Sequence, residues 1–225
     1  MDAPSQEQIA RNIRILPSAT QKALDFCAAQ GWLKKSPWYL AGGTALALQA
    51  GHRSSVDLDF FSSRANFHAP SLLRHFPVNW QTTRLEEGTV YGELFRAKVS
   101  FLSYPLFEPA LPPVRYGAVR VLQPADIAVM KIIAISQRGR KRDFIDLYWC
   151  VRNIEPLGEI IVRLKTQYPT VAHDYHHILK SLTYFADAEN DPLPKLYFKA
   201  SWLQIRKFFV SEVPAVTRKL LKLYS

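Results

Sequence analysis

The spacing of apolar residues changes character near residue 123. Before it, helical stretches mix with short runs in which apolar and polar residues alternate; after it, nearly every apolar stripe has the helical period. Residues 6–15 form a mixed helical stretch that Pro17-Ser18 interrupts. From Thr20, the positions Ala23, Leu24, Phe26, Cys27 and Ala28 predict a second helix, with Gly31 as its stop. Residues 38–41 predict a short strand ending at the pair Gly42-Gly43, residues 44–50 a small helix, and residues 56–61 a strand. After a break at 62–69, Pro70 opens a short helix with Leu72, Leu73 and Phe76. Residues 79–85, 89–96 and 98–104 predict three strands, with Glu86-Glu87-Gly88 as the turn between the first two. Residues 105–114 hold four prolines and predict an extended loop, and residues 119–122 a last short strand. Pro124-Ala125-Asp126 is a helix start. Helices are then expected over 160–168, 171–185, 202–213 and 215–224, parted by Pro169, Pro192, Pro194 and Pro214. The expected class is α/β (α+β): a mixed sheet with flanking helices over residues 1–123, followed by a helical domain over 124–225.

The strand at 56–61 reads Val-Asp-Leu-Asp-Phe-Phe. Strand neighbours two apart share a face, so Asp57 and Asp59 point one way and Leu58 and Phe60 the other. Two carboxylates this close repel when ionised. A divalent cation removes the conflict, and hard oxygen ligands suit Mg2+. Upstream, Gly42 and Gly43 carry no Cβ, so their backbone can approach an anion. The helix that opens at Thr44 offers free N–H groups to phosphate. Together these features predict a nucleoside triphosphate, with phosphates on Gly42, Gly43 and Thr44 and Mg2+ or Mn2+ on Asp57 and Asp59.

Composition sets bounds on this reading. With 225 residues and 48% hydrophobic content the chain can build a sizeable core. A net charge of +10 suits RNA, DNA or a free nucleotide without choosing among them. Cys27 and Cys150 lie in apolar, helix-like surroundings and are expected to be buried thiols, as in a cytoplasmic protein. The first residues lack a long apolar core, which argues against a secretory signal. No apolar run is long enough for a transmembrane helix. His173, His176 and His177 lack a partner pattern for metal binding and are expected at the surface.

A strand, a glycine pair, a helix and then Asp-x-Asp on the next strand resemble the opening of the polymerase-β-like nucleotidyltransferase fold. Gly-Gly-Thr-Ala-Leu-Ala-Leu followed by Val-Asp-Leu-Asp-Phe-Phe is more specifically similar to the AbiEii/AbiGii nucleotidyltransferase toxins. A second signature agrees: Lys131 with Ala134, then Arg138, then Arg142-Asp143-x-x-Asp146-Leu-Tyr. The resemblance implies that Lys131 neutralises phosphate charge, and that Arg138 and Arg142 hold phosphate or ribose. It implies that Asp143 fixes one of these arginines, and that Asp146 orients Lys131, binds metal through water, or acts as a base. Arg140 and Lys141 are expected in a basic loop with local Arg–Asp pairs. Lys131, set among apolar neighbours, is otherwise expected to snorkel outward.

The implied reaction is transfer of a nucleoside monophosphate from a nucleoside triphosphate to an acceptor hydroxyl, with Lys131 and Asp146 brought over Asp57 and Asp59. The implied acceptor is RNA, at the 3′ end of a tRNA, in a toxin–antitoxin or phage-defence (abortive infection) system with a cognate antitoxin. The alternatives are transfer to a protein side chain and a nucleotide-binding regulatory protein of weak activity. One departure from the fold's pattern stands out. A third carboxylate is expected on a neighbouring strand, and the candidate strand offers Ser100 in that place. One metal then suffices, or Glu93 or Asp146 substitutes, or catalysis is weak; related toxins do with a reduced carboxylate set.

Overall fold

The computed structural model describes residues 6–224, and its chain contacts separate two units, residues 6–123 and 124–224. The first is a mixed α/β unit and the second is helical.

In the first unit, α1 (Gln6–Asn12), a 3₁₀ turn (Ile13–Ile15), α2 (Ser18–Ala28) and α3 (Gly31–Lys34) precede β1 (Tyr39–Ala41). Then come α4 (Gly42–Ala50), β2 (Leu58–Ser62), α5 (Ala69–Leu73), β3 (Trp80–Glu86), β4 (Thr89–Leu94), β5 (Ala97–Ser103), β6 (Val114–Tyr116) and β7 (Val119–Val121). The seven strands form one sheet in the order β3-β4-β5-β2-β1-β7-β6. β2 runs antiparallel to β1 and parallel to β5, so the centre of the sheet is mixed.

Alternation along the strands sorts the two faces. Leu40, Leu58, Phe60, Val99, Phe101 and Val121 are buried on one of them. Phe60 and Phe101 stack there at 4.9 Å, and Trp38 and Phe76 meet the Phe101 ring edge-on at 5.1 and 5.6 Å. Truncating a ring so enclosed costs ~3–5 kcal/mol. The opposite face carries Asp59, Phe61 and Ser100, in register with Ala41 and Tyr91.

The second unit holds α6 (Pro124–Arg138), α7 (Lys141–Asn153), α8 (Leu157–Val162), α9 (Leu164–Gln167), α10 (Tyr175–Ser181), α11 (Ala186–Glu189) and α12 (Trp202–Tyr224). Phe144 of α7 anchors its core against Phe185, Trp202 and Phe209, with ring centroids 5.1 to 5.9 Å apart. Asp126 is fully buried and accepts from Arg163 and from Gln167 at 2.7 Å. Arg140 pairs with Asp191 at 2.6 Å, and the Lys141 ammonium donates to the Glu189 and Asp191 carbonyls, so this basic loop is tied to the chain after α11.

Several elements differ from the periodicity's expectation. Gly31 opens α3 rather than ending α2, because the chain has already turned at Ala29 and Gln30. Gly42 and Gly43 are the first residues of α4 rather than a turn before it. Asp57 sits one residue ahead of β2. β6 falls at the end of the proline-rich stretch; it is three residues long and pairs with β7 through a hairpin at Gly117 (φ +57°). The expected helix at 171–185 starts only at Tyr175, where the Asp174 carboxylate accepts the His177 N–H. Pro214 lies inside the continuous α12. Proline frees the carbonyl four residues earlier, here that of exposed Val210, where water can satisfy it.

Candidate active site

The first constellation sits where β1 ends and β2 begins. Gly42 takes φ +70°, a conformation that disfavours any residue with a Cβ, and so turns the chain from β1 straight into α4. A Cβ at Gly42 would stand 3.2 Å from Asp59 Oδ2, so the turn lies against the carboxylate. The first turn of α4 has no side-chain cap, and its leading N–H groups have no intrahelical acceptor. Thr44 is buried. Its hydroxyl donates to the Asp57 carbonyl and lies 2.8 Å from the Ser55 hydroxyl, which pins the loop carrying Asp57 to the start of α4. A phosphate would therefore meet Thr44 through its backbone.

Asp57 and Asp59 are half-buried, whereas Leu58 and Phe60 between and beyond them are fully buried. Burial of those apolar side chains fixes the face on which the carboxylates emerge. Ser100 pairs with Asp59 across β2 and β5, and its hydroxyl donates to Asp59 Oδ1 at 2.5 Å, the length of a hydrogen bond to an ionised oxygen. The strand position open to a third carboxylate thus holds a hydroxyl that orients the second one. Glu93 lies one strand further on, opposite Lys98.

These oxygens fit a hard divalent cation. Mg2+ commonly takes one or two carboxylates, keeps several waters and completes its shell with substrate phosphate. Two half-exposed carboxylates beside a glycine turn match that donor set. Among the described residues, no group of three or more His, Cys, Asp or Glu is placed to bind a metal.

The second constellation is in the helical unit. Lys131 on α6 is buried and does not snorkel. Its ammonium lies 2.6 Å from Asp143 Oδ1 and 2.7 Å from Asp146 Oδ2, both on α7 and both fully buried. Arg138, more than half exposed, donates from Nε to Asp143 Oδ2 at 3.2 Å. Burial alone would raise the Asp143 carboxyl; Lys131 and Arg138 outweigh it and hold the group below the ordinary carboxylate range. The three-residue step from Asp143 to Asp146 puts both on one helix face. Lys131 therefore joins α6 to α7. Arg142 is exposed on α7.

One residue escaped the sequence reasoning. Arg53 is buried, with Nη1 donating to the Ser54 carbonyl at 2.9 Å. A Cβ at Gly43 would come within 2.3 Å of its Nη2, so the guanidinium occupies the space that the missing side chain leaves. The available signal was an arginine four residues ahead of Asp57, followed by two serines in the loop between α4 and β2. Among the histidines, His173 Nε2 lies 3.2 Å from the Leu164 carbonyl and His177 Nε2 3.0 Å from that of Ser136.

An uncharacterized protein of Aquifex aeolicus (strain VF5) is 35% identical over 184 residues, which cover 78% of this chain and 86% of that protein. The crystal structure of JHP933 from Helicobacter pylori superposes with a TM-score of 0.54 at 17% identity, covering 97% of this chain and 95% of its own, and so shares the fold. A family model described as nucleotidyl transferase AbiEii toxin, type IV toxin–antitoxin system, matches residues 33–84 and 96–222, a span that takes in both constellations. The chain belongs to the AbiEii nucleotidyltransferase toxin family.

Proposed function

We propose that this chain transfers a nucleoside monophosphate from a nucleoside triphosphate to an acceptor hydroxyl on RNA, the 3′ end of a tRNA, and does so as a cytoplasmic toxin countered by a cognate antitoxin. The observation that carries the reading is the Gly42 turn laid against Asp59, with Asp57 two residues away. Phosphate is held by the backbone at Gly42, Gly43 and Thr44, and Arg53 adds positive charge beside Gly43. Asp57 and Asp59 would hold Mg2+ or Mn2+, which would supply positive charge against that developing on the phosphoryl oxygens. Ser100 keeps Asp59 in a single orientation. In the helical unit, Asp143 and Asp146 hold Lys131 in one rotamer, and Arg138 and Arg142 present cationic charge at the surface of that unit.

A second reading, a nucleotide-binding regulatory protein of weak activity, rests on Ser100 standing where a carboxylate would. One assay separates them: α-labelled nucleoside triphosphates in turn, Mg2+ and total tRNA, with an Asp57→Asn, Asp59→Asn control. Label on tRNA that the control lacks is the expected result. Nucleotide binding without pyrophosphate release would establish the regulatory reading. Label on protein instead would replace the acceptor.

A further inference from the structure

The face of the sheet that bears Asp59 carries a second row of side chains next to it: Phe61, Tyr39, Arg120 and Arg115. Phe61 pairs with Tyr39 across β2 and β1, and the pairing of Leu40 with Val121 sets Arg120 beside Tyr39. Arg115 stands directly opposite Arg120 on the β6–β7 hairpin. Two like charges at an opposed antiparallel pair repel. Burial, and after it the field of Arg115, lower the Arg120 pKa. Among the described residues, no carboxylate is ion-paired with either guanidinium.

The two arginines are not equivalent. Arg120 spends Nε and Nη2 on the Trp38 and Ser36 carbonyls at 2.7 to 3.1 Å, so it secures the entry to β1. Arg115 has a buried Nη1 with no hydrogen-bond partner. Buried donors are nearly always met, and the Arg115 side chain as a whole is only half-buried on the edge strand of the sheet, where an added acceptor can reach it. The hairpin that presents it is fixed from behind. The Tyr116 hydroxyl donates to Asp25 at 2.7 Å, and the Ala118 N–H donates to the Ala28 carbonyl at 2.7 Å.

We infer that Arg115 and Arg120 bind a phosphate of the acceptor strand, with Phe61 offering a stacking surface to a base on the way to Asp59. The inference rests on the RNA-acceptor reading above and names the residues that meet that strand. Position separates this phosphate from those of the nucleoside triphosphate. Arg120 flanks Tyr39, the first residue of β1, whereas the glycine turn follows its last residue, roughly 10 Å away at ~3.3 Å per residue. β7 is also two strands from β2, about 10 Å across the sheet. Between them Phe61 is half-buried, near-parallel to Tyr39 at 6.3 Å and edge-on to Tyr104 at 5.7 Å. Guanidinium forks beside aromatic faces are the pattern that tracks a single-stranded nucleic-acid backbone.

The test is RNA binding without chemistry. A short fluorescent single-stranded RNA is titrated with the full chain by anisotropy over a range of KCl, using wild type, Arg115→Gln and Arg115→Lys. Arg115→Gln is expected to bind about tenfold more weakly at low salt, with a log–log salt slope smaller by about one. Arg115→Lys is expected to restore the slope but only part of the affinity. In the transfer assay the KM for nucleoside triphosphate stays at the wild-type value. Unchanged RNA affinity and slope in Arg115→Gln overturn the inference. So does a raised nucleotide KM with intact RNA binding, which assigns the phosphate to the nucleotide, and so does a wild-type chain that does not bind RNA. Wild-type RNA binding that depends on Arg115, in a protein that transfers no label, upholds the inference and sinks the transferase reading instead.

Discussion

The two constellations are built on opposite principles. Asp57 and Asp59 stand half-buried at the edge of β2, held by backbone geometry: the Gly42 turn, the Thr44 hydroxyl on the Asp57 carbonyl, and the Ser100 hydroxyl on Asp59. Lys131, Asp143 and Asp146 are buried and held by one another, with Arg138 closing the charge balance from the surface. The carboxylates of the first group stay within reach of solvent, where a cation can be met. In the second, opposite charges neutralise each other inside the fold, where an unpaired charge would be expensive. Removing a carboxylate from the first should cost chemistry, and removing a member of the second should cost stability.

The largest expected effect breaks the comparison if it fails. Asp59→Asn should slow nucleotidyl transfer by about 10²–10³-fold, the scale seen when one preorganised electrostatic group is lost, while the urea midpoint stays close to wild type. Next comes the buried cluster. Lys131→Ala leaves two carboxylates without their shared cation and should destabilise the chain by ~3–5 kcal/mol in urea. Replacing the charges together, as Lys131→Met with Asp143→Asn and Asp146→Leu, should regain most of that loss. If stability does not return, the cluster's packing and not its charge balance holds α6 to α7.

A smaller effect sharpens the role of the turn. Gly42→Ala forces an L side chain into φ +70° and should cost about 1–2 kcal/mol. Its Cβ would also press on Asp59, so transfer should fall further than that stability loss explains.

The pH dependence follows from Asp143. Its pKa is lowered in the folded state, so its contribution is fully present above the ordinary carboxylate pKa and disappears as pH falls through the lower, folded value. Acid unfolding of wild type should accordingly be steeper below pH ~4 than that of Asp143→Asn. The smallest signal is chemical. Burial pushes the Cys27 thiol up to about 12 and raises Cys150 as well. A thiol reagent at neutral pH should label neither until the chain unfolds.

How much of this was legible in the sequence depended on how local each cause is. The face of Asp59, opposite Leu58 and Phe60, could be read because a strand's period of two is set by the chain itself; Asp57 falls just ahead of β2. The Gly42 turn could be read because only glycine adopts that backbone readily. The α6 start at Pro124 was equally local. Arg53 could not be read, since its place against Gly43 is created by a loop folding back ten residues later in the chain. β6 was missed because three residues after a proline-rich stretch carry almost no periodic signal; the pairing with β7 makes them a strand. Pro214 misled in the other direction, because solvent at Val210 lets a helix absorb a lost hydrogen bond. Snorkelling was the alternative for Lys131, and two carboxylates on the next helix hold its ammonium inside instead.

The most direct test of the contrast is a paired measurement on the Asp57→Asn, Asp59→Asn double variant: transfer of label from an α-labelled nucleoside triphosphate, and unfolding in urea, on the same preparation. The account predicts that label is lost while the unfolding midpoint is retained. Label that persists, or activity and stability that fall together, would contradict it.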